Sequence, residues 1–508
     1  MKKRVAVIGA GLGGLSAASR LARKGFHVDV FEQRGGPGGK ASDLRIGGYR
    51  FDTGPSLLTL PEVFRQLFSE LGEELEDHLE FVRLDPITRY FYPDGTVIDA
   101  FPDRERFAAE IEEKTGEKAE KVLRYLERCR KIFDLTSGLF MHRSLQEVGT
   151  YLTGDAFRTL SRIGQIDALR TMHRANSEFF SDDRVVKLFD RYATYNGSSP
   201  YMTPATFNLI QHVEYGIGGY GVKGGIFEIT RRIAKLSGEL GVNFHYGKRV
   251  EGIGVEGSRV RGITVDGEEL PYDIVVSNSD VTNTYNVLLG GNVKDIGSRY
   301  ASLEPSSSGG VFYFGINTEN RELLVNNIFF SGDYEAEFGD IWHRRRAPRD
   351  PTVYINITSR IDPEDAPPGC ENWFVLVNVP YDSGQDWGSE MKGLRERTME
   401  KIEGALGRSL VNSVEAEASL DPPGIERTWS GNRGSIYGIS SNDRRSAFRR
   451  QGNRSGKIRG LYFCGGSAHP GGGMPLVILS GRIASDLISK YEQVSVRENR
   501  QKPGQVLN

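Results

Sequence analysis

Residues 4–32 read RVAVIGAGLGGLSAASRLARKGFHVDVFE, and the organisation of the whole chain is predicted from this stretch. Arg4–Ile8 is a β-branched run typical of a strand, and residues 9–14 follow it directly with the pattern G-x-G-x-x-G. Apolar residues at helical spacing continue to Gly25, and a second strand then ends on Glu32. This order of strand, glycine turn, helix, strand and acid predicts a dinucleotide-binding βαβ unit.

The residue types in this unit have separate physical roles. Gly9 permits the sharp turn, Gly11 lets the backbone approach a pyrophosphate, and Gly14 lets helix and strand pack closely. The N–H groups at the helix start lack partners within the helix and attract phosphate. Glu32 lies where a carboxylate accepts hydrogen bonds from an adenosine ribose. An ordinary βαβ unit with a glycine turn is the alternative, but it leaves these glycines unexplained.

The segment after the second strand distinguishes between dinucleotides. Residues 34–40 (RGGPGGK) form a glycine-rich loop, and residues 49–56 (YRFDTGPS) an extended segment, where an NAD-binding domain would continue into a helix. This favours FAD, whose flavin end must be carried away from the adenosine site, and Lys40 can neutralise a phosphate. Two solvent-exposed loops are the competing interpretation.

A second glycine stretch lies near the other end of the chain. Residues 460–464 (GLYFC) predict a strand that leads into GGSAHPGGGM at 465–474, and Pro475 then begins a helix. Free N–H groups at that helix start would face the negative charge of a reduced flavin and favour hydride acceptance. Together the two stretches predict both ends of one FAD site.

These motifs also carry a family resemblance. VAVIGAGLGGLSAASRLARKG (5–25), VDVFEQRGGPGGKA (28–41) and GYRFDTGPSLLTLP (48–61) resemble the N-terminal signature of bacterial-type phytoene desaturases, carotenoid flavoenzymes related more distantly to amine oxidases. RYATYNGSSPYMTPA (191–205) and GGSAHPGGGMP (465–475) are most similar to the hydroxycarotenoid 3,4-desaturase branch. The resemblance implies an α/β fold, with a Rossmann-type FAD-binding domain of the glutathione reductase/amine oxidase kind and an inserted α+β substrate domain.

The motifs and the resemblance together predict the FAD-binding residues. Val250 matches the position whose backbone pairs with the adenine in flavoproteins of this architecture. Amine oxidases usually place an acidic residue after the last strand, whereas this chain has Gly466 and Ser467, so Ser467 or backbone is expected to contact the ribityl chain. The full predicted set is Gly9, Gly11, Gly14, Glu32, Gln33, Gly39, Lys40, Gly54, Pro55, Ser56, Val250, Gly465, Gly466, Ser467, His469, Gly473, Met474 and Pro475.

The domain order is expected to interleave. We predict FAD-binding parts at 1–75, 216–290 and 431–492, substrate parts at 76–215 and 291–430, of which the first is also membrane-associated, and a flexible tail at 493–508. Within the substrate parts, residues 103–180 are predicted mostly helical, and Val311–Ile316, Thr352–Ile357 and Trp373–Asn378 are predicted strands of the substrate sheet.

Composition narrows the function classes. The 508 residues carry 65 basic and 67 acidic side chains, a net charge of −2, and no basic run or zinc spacing points to nucleic acid or to a metal. Three scattered cysteines make a disulfide framework unexpected and indicate a reducing cytoplasm. Neither a signal peptide nor a transmembrane helix is predicted.

The predicted reaction is desaturation of an acyclic carotenoid, in which a hydride and a proton leave neighbouring carbons and a conjugated double bond forms. His469, Arg191 and Glu214 are the candidate catalytic residues, and a lone histidine in a glycine loop is also commonly structural. The tyrosine-rich segment 192–204 is either the wall for the polyene or ordinary core. Oxygen or a quinone is the expected electron acceptor.

An insoluble substrate implies a membrane surface as partner. Helical basic–apolar segments between Leu139 and Met172 are the predicted contact face, with a helical packing layer as the alternative. The protein is thus expected to be cytoplasmic and peripherally attached. A phytoene desaturase, a carotenoid isomerase, an amine-oxidase-like enzyme or a non-catalytic carrier of prenylated proteins would share much of this pattern.

Overall fold

The computed structural model describes residues 3–291 and 293–492, so the predicted tail at 493–508 lies outside the described residues. Its strands, numbered along the chain, are β1 (Arg4–Ile8), β2 (His27–Glu32), β3 (Asp43–Ile46), β4 (Tyr49–Asp52), β5 (Phe81–Arg83), β6 (Thr88–Phe91), β7 (Val97–Ala100), β8 (Tyr220–Val222), β9 (Asn243–Tyr246), β10 (Val250–Glu256), β11 (Arg259–Val265), β12 (Glu268–Pro271), β13 (Ile274–Ser277), β14 (Ser308–Ile316), β15 (Asn326–Phe329), β16 (Val353–Ile357), β17 (Glu371–Val379), β18 (Val414–Leu420) and β19 (Leu461–Phe463).

The helices alternate with these strands. They are α1 (Leu12–Arg23), α2 (Pro61–Leu71), α3 (Arg104–Thr115), α4 (Ala119–Phe140), α5 (Gly154–Ser161), α6 (Met172–Phe179), α7 (Asp183–Asp190), α8 (Leu209–His212), α9 (Phe227–Glu239), α10 (Val281–Asn283), α11 (Lys294–Ala301), α12 (Tyr334–Gly339), α13 (Trp387–Leu406), α14 (Pro422–Trp429), α15 (Ser446–Arg449) and α16 (Met474–Tyr491).

A parallel sheet in the order β19-β13-β1-β2-β9 forms the first layer. The continuous apolar run of β1 suits this central position, because its neighbours β13 and β2 pair with it in parallel and both faces of the sheet are covered. Helices α1, α9 and α16 pack on one face, and strands β10 and β11 of a three-stranded sheet pack on the other. The strands of the parallel sheet come from three separate parts of the chain, which the fold brings side by side. The predicted α/β fold class with a Rossmann-type parallel sheet is therefore confirmed.

Glycines let the elements of this layer approach unusually closely. A Cβ atom on Gly14 of α1 would lie 2.1 Å from the carbonyl oxygen of Gly9, and one on Gly481 of α16 would lie 2.5 Å from the carbonyl oxygen of Gly13. Ser16 Oγ donates a hydrogen bond of 2.6 Å to the carbonyl of Ile478. The first and the last helix are thus packed against each other.

A mixed sheet in the order β18-β14-β17-β16-β15-β6-β7 forms the second layer. The predicted strands Val311–Ile316, Thr352–Ile357 and Trp373–Asn378 are confirmed as parts of β14, β16 and β17. Buried apolar residues pack α13 against one face of this sheet. The other face is turned to the parallel sheet, and the cavity described below is lined by residues of both sheets.

Helices α3 to α6 occupy most of the region 103–180 that was predicted to be helical, and α7 follows directly after it. Asp103 caps α3, since its carboxylate accepts a hydrogen bond from the N–H of Arg106. Phe107, Tyr125 and Phe189 belong to an apolar core shared with strands β6 and β7. Within the described residues, no helix combines the length and the hydropathy needed to cross a membrane.

Candidate active site

The two glycine stretches meet at one cavity. It has a volume of about 490 Å³ and is lined by residues of the parallel sheet and of the mixed sheet. The stretches also touch each other, because a Cβ atom on Gly13 would lie 2.9 Å from the backbone nitrogen of Gly465. Segments more than 400 residues apart in sequence therefore form a single site.

Most residues predicted to bind the cofactor lie on the wall of this cavity. The predicted residues on the wall are Gly9, Gly11, Glu32, Gln33, Gly39, Lys40, Gly54, Pro55, Ser56, Val250, Gly465, Gly466, Ser467, Gly473, Met474, Pro475 and the catalytic candidate Arg191. Gly14, His469 and Glu214 lie behind the wall. The structure gives Gly14 a packing position, in keeping with the role expected for it.

Glu32 is held rigidly at one end of the cavity. Its carboxylate accepts hydrogen bonds of 2.9 Å from the N–H groups of Ala10 and Arg34, and the residue is 7% exposed. Val250, at the start of β10, lines the same part of the site. This arrangement suits the binding of an adenosine, with the carboxylate on the ribose and the Val250 backbone on the base.

Lys40 and Asp280 both lie on the cavity wall, near enough for the charge of Asp280 to act on Lys40. Lys40 Nζ donates a 2.5 Å hydrogen bond to the carbonyl of Ile436. Burial lowers the pKa of Lys40 to about 8, with the charge of Asp280 opposing that shift, and burial raises the pKa of Asp280. Sequence reasoning predicted Lys40 but did not connect it to Asp280, because 240 residues separate the two.

The two helix starts at the cavity lack side-chain caps. Neither Gly11, before α1, nor Gly473, before α16, supplies a side-chain hydrogen bond to the first turn. Free N–H groups and positive dipole ends at both helices favour anionic groups. The hydroxyl oxygen of Ser435, beside Lys40, is buried without a hydrogen-bond partner among the described residues. This donor set fits FAD, because the free N–H groups at the two helix starts can bind the anionic parts of such a cofactor.

Arg450 supports the flavin end of the site and was not predicted. Its guanidinium donates hydrogen bonds of 2.7 Å to Gly466 O, 3.0 Å to Tyr437 O and 3.0 Å to Ile439 O. Burial lowers the pKa of Arg450 to about 10. The residue lies in a basic segment with no motif, so no sequence signal separates it from its arginine neighbours.

Ser467 and His469 have well-defined partners in the structure. Ser467 Oγ accepts a hydrogen bond of 3.0 Å from the N–H of Val281. His469 Nε2 donates one of 2.7 Å to the carbonyl of Arg143, and burial lowers the pKa of His469 to about 4. This geometry gives the His469 imidazole a structural position behind the glycine loop rather than one facing the cavity.

Arg191 and Glu214 belong to a buried polar network. Arg191 donates hydrogen bonds of 2.9 and 2.6 Å to Tyr90 Oη and one of 3.2 Å to Glu214, which is fully buried. Tyr195 Oη donates a short hydrogen bond to the same carboxylate. Arg191 and Tyr195 line the cavity, so they separate Glu214 from it. Of the tyrosine-rich segment, Tyr195 faces the cavity, whereas Tyr192 is core.

A row of largely apolar side chains forms the substrate wall. Strand pairing aligns Leu420, Val311, Leu376, Tyr354 and Ile328 across five neighbouring strands of the mixed sheet, and all five line the cavity. With strands spaced about 4.8 Å apart, such a row is about 19 Å long. The row suits an extended hydrocarbon rather than a charged metabolite.

Comparison with known proteins agrees with this geometry. The family described as flavin containing amine oxidoreductase matches residues 12–489. Among solved structures, an oxidoreductase from Methanosarcina mazei has a TM-score of 0.64 at 19% identity, covering 95% of this chain and 100% of that one. Cyclohexylamine oxidase from Brevibacterium oxydans has a TM-score of 0.62 at 14% identity, covering 97% and 100%. At identities this low, the two solved structures show that the chain shares their fold and nothing more.

The chain belongs to the flavin-containing amine oxidoreductase family, and its cofactor is FAD. A 1-hydroxycarotenoid 3,4-desaturase of Flavobacterium sp. is 40% identical over 96% of this chain and 99% of that protein. A zeta-carotene-forming phytoene desaturase of Myxococcus xanthus is 34% identical over 96% and 94%. A 4,4'-diaponeurosporene oxygenase of Staphylococcus haemolyticus is 32% identical over 98% and 100%. Within the family, the protein is an FAD-dependent oxidoreductase of the carotenoid desaturase group.

Proposed function

We propose that the protein is a 1-hydroxycarotenoid 3,4-desaturase, acting on an acyclic carotenoid with a hydroxyl group near one end. The observation that carries this proposal is the 40% identity, over nearly the whole of both chains, to the Flavobacterium protein of that name. The cavity supports it, because residues that fit FAD continue directly into the apolar row from Leu420 to Ile328. Relatives with other carotenoid activities are less similar, at 34% and 32% identity.

The residues of the chain would divide the catalytic work between them. When bound, FAD supplies the acceptor for a hydride. The free N–H groups at the start of α16 stabilise negative charge there, and Arg450 holds the preceding loop in place. The apolar row aligns the polyene and excludes water. A cation delocalised along a polyene loses its proton readily, so the reaction needs no strong base beside the substrate. The position of Glu214, behind Tyr195 and Arg191, agrees with this.

Expression in a host that makes carotenoids tests the activity. We expect an acyclic carotenoid carrying a 1-hydroxyl group to gain one conjugated double bond, seen as a red shift of its absorption. The same host supplied with the non-hydroxylated carotenoid is expected to show much less conversion. Conversion of phytoene alone would instead assign the protein to the phytoene desaturases, and a colourless purified protein would favour a non-catalytic carrier.

We also infer a membrane-facing surface, called here the apolar patch. It consists of exposed apolar side chains in the region predicted for this contact, namely Val148, Tyr151, Leu152, Phe157, Leu160, Ile163 and Leu169. Helix α5 buries Ala156 and Thr159 and so turns Phe157 and Leu160 outward. Clustered exposed apolar residues of this kind are typical of an interaction site. Exposed Arg158 and Arg162 would add attraction to anionic lipids.

The remaining parts of the proposal follow from this arrangement. A bilayer would deliver the water-insoluble substrate, and oxygen or a quinone would receive the electrons. The division into FAD-binding parts at 1–75, 216–290 and 431–492 and substrate parts at 76–215 and 291–430 stays a prediction. Limited proteolysis of the protein with and without FAD tests those boundaries.

A further inference from the structure

A polar cluster interrupts the apolar wall of the cavity. Its members are Glu337 on α12, Thr352 just before β16 and Asn378 on β17, and all three line the cavity. Thr352 and Asn378 lie opposite each other, directly next to the paired residues 353 and 377 of the neighbouring strands β16 and β17. Leu376 also lines the cavity, so the alternation of side chains along a strand points Asn378 into the same space.

The carboxylate of Glu337 is buried among hydroxyl groups. It accepts hydrogen bonds of 2.9 Å from the N–H of Thr352, 2.7 Å from Thr352 Oγ1 and 2.6 Å from Ser331 Oγ, and the residue is 4% exposed. Lys401 acts on this carboxylate only from a distance, because its ammonium group pairs with Asp350 at 2.5 Å. Among the described residues, Glu337 takes part in no ion pair. The cost of burying this carboxylate is therefore offset by its hydrogen bonds rather than by a paired cation.

The side-chain amide of Asn378 is free. It forms no hydrogen bond with any of the described residues, and its exposed part faces the cavity. The backbone of Asn378 pairs with that of Gly309 on β14. Gly309 in turn lies close to Ile436, since a Cβ atom built on Gly309 would be 3.3 Å from the Ile436 side chain. The carbonyl of Ile436 accepts the hydrogen bond from Lys40. Asn378 therefore lies where the substrate wall meets the FAD-binding residues.

We propose that Asn378 binds the hydroxyl group of the carotenoid, with Thr352 and Glu337 completing the polar subsite beside it. This inference rests on the proposed function. A hydroxyl group both donates and accepts, and the Asn378 amide offers one acceptor oxygen and two donor hydrogens. In a 1-hydroxycarotenoid desaturated at the 3,4 bond, a single carbon separates the hydroxyl-bearing carbon from the reacting bond. The hydroxyl subsite must then adjoin the flavin-binding residues, where Asn378 lies.

The same subsite explains how a hydrocarbon end would be rejected. An apolar end group would cover the Asn378 amide and the Thr352–Glu337 pair without replacing the hydrogen bonds that water gives them. A site built to hydrogen-bond a hydroxyl discriminates against the analogue without it for this reason. Asn378 is thus a positioning and specificity residue, whereas Leu376 and Val311 on the same wall contact hydrocarbon whatever the end group.

The test compares two variants of the same shape. Asn378→Thr keeps a group that donates and accepts, and Asn378→Val replaces that group by a methyl. Both are prepared with FAD and given an acyclic carotene and its 1-hydroxy derivative in separate assays and in competition. We expect the preference for the hydroxylated substrate, as a ratio of kcat/KM values, to be about tenfold smaller in Asn378→Val than in Asn378→Thr. Most of the change should lie in KM for the hydroxylated substrate.

The outcomes separate this inference from the proposed function. If the wild-type enzyme converts both carotenoids equally, the proposed function and the subsite both fail. If the wild-type enzyme prefers the hydroxylated substrate and Asn378→Val keeps that preference, the subsite alone is refuted. Equal losses on both substrates would show that Asn378 acts only in folding. Thr352→Val is the companion variant, and it should lower the same ratio, because it removes a hydroxyl group from the same subsite.

Discussion

Removing two side chains from the apolar patch should release the protein from lipid. Leu152 is 83% exposed and Phe157 is 76% exposed. Fully burying a side chain of either kind contributes about 1.5–3 kcal/mol, so inserting the exposed parts of both contributes about 3 kcal/mol. Leu152→Ser combined with Phe157→Ser should therefore weaken the partition coefficient roughly a hundredfold.

Co-sedimentation with vesicles measures this loss. The vesicles contain phosphatidylglycerol and phosphatidylethanolamine, and the bound fraction is determined over a range of lipid concentrations. Val411→Ser is the matched control, because Val411 is 71% exposed but lies between α13 and β18, outside the patch. Equal binding by wild type and the double variant would refute the assignment, and so would an equal loss in Val411→Ser. Unchanged thermal unfolding shows that the fold is intact.

Further predictions concern buried groups. Gly14→Ala should destabilise the protein by about 1–3 kcal/mol and lower its FAD content, because the new Cβ would lie 2.1 Å from a backbone oxygen; Gly238→Ala in α9, with open space around it, should not. His469 is held neutral, with its pKa lowered from 6.5 to about 4, so its stabilising contribution is complete above pH 6.5 and falls as the pH drops towards 4. Between pH 7 and pH 4.5, the wild type should lose about 2.5 kcal/mol of unfolding free energy through this group, and His469→Gln should lack that loss when both are unfolded with denaturant. Burial raises the pKa of Glu337 from 4.5 to about 6, so its ionised form destabilises the fold above that range. The free energy of unfolding of Glu337→Gln should therefore be about 2 kcal/mol higher than that of the wild type at pH 8 and equal to it at pH 4.5. Equal stability of the two proteins at both pH values would contradict the burial argument.

Prediction from sequence succeeded where the relevant chemistry is local. The strand–glycine–helix unit at 4–32 and the strand–glycine–helix unit at 460–490 each consist of consecutive residues, so turn geometry and helix capping restrict them directly. The bounds of such local elements were predicted well for the same reason, and β1 spans the predicted Arg4–Ile8. The identity of the cofactor followed from these units.

Other features depend on the path of the chain through space. Lys40 comes within range of the charge of Asp280, and Arg450 reaches the Gly466 carbonyl, only because the parallel sheet brings β13 and β19 beside β1. The polar cluster likewise needs α12, β16 and β17 side by side, and its residues have no motif of their own.

The sequence by itself therefore determined the βαβ unit, the second glycine-lined helix start, the FAD cofactor and the family, because each is encoded in short stretches whose backbone geometry few residue types permit. Only the tertiary structure decided which side chains face the cavity. It placed Asn378 on the wall and His469 behind it, since strand pairing and burial, rather than residue type, set the direction of a side chain.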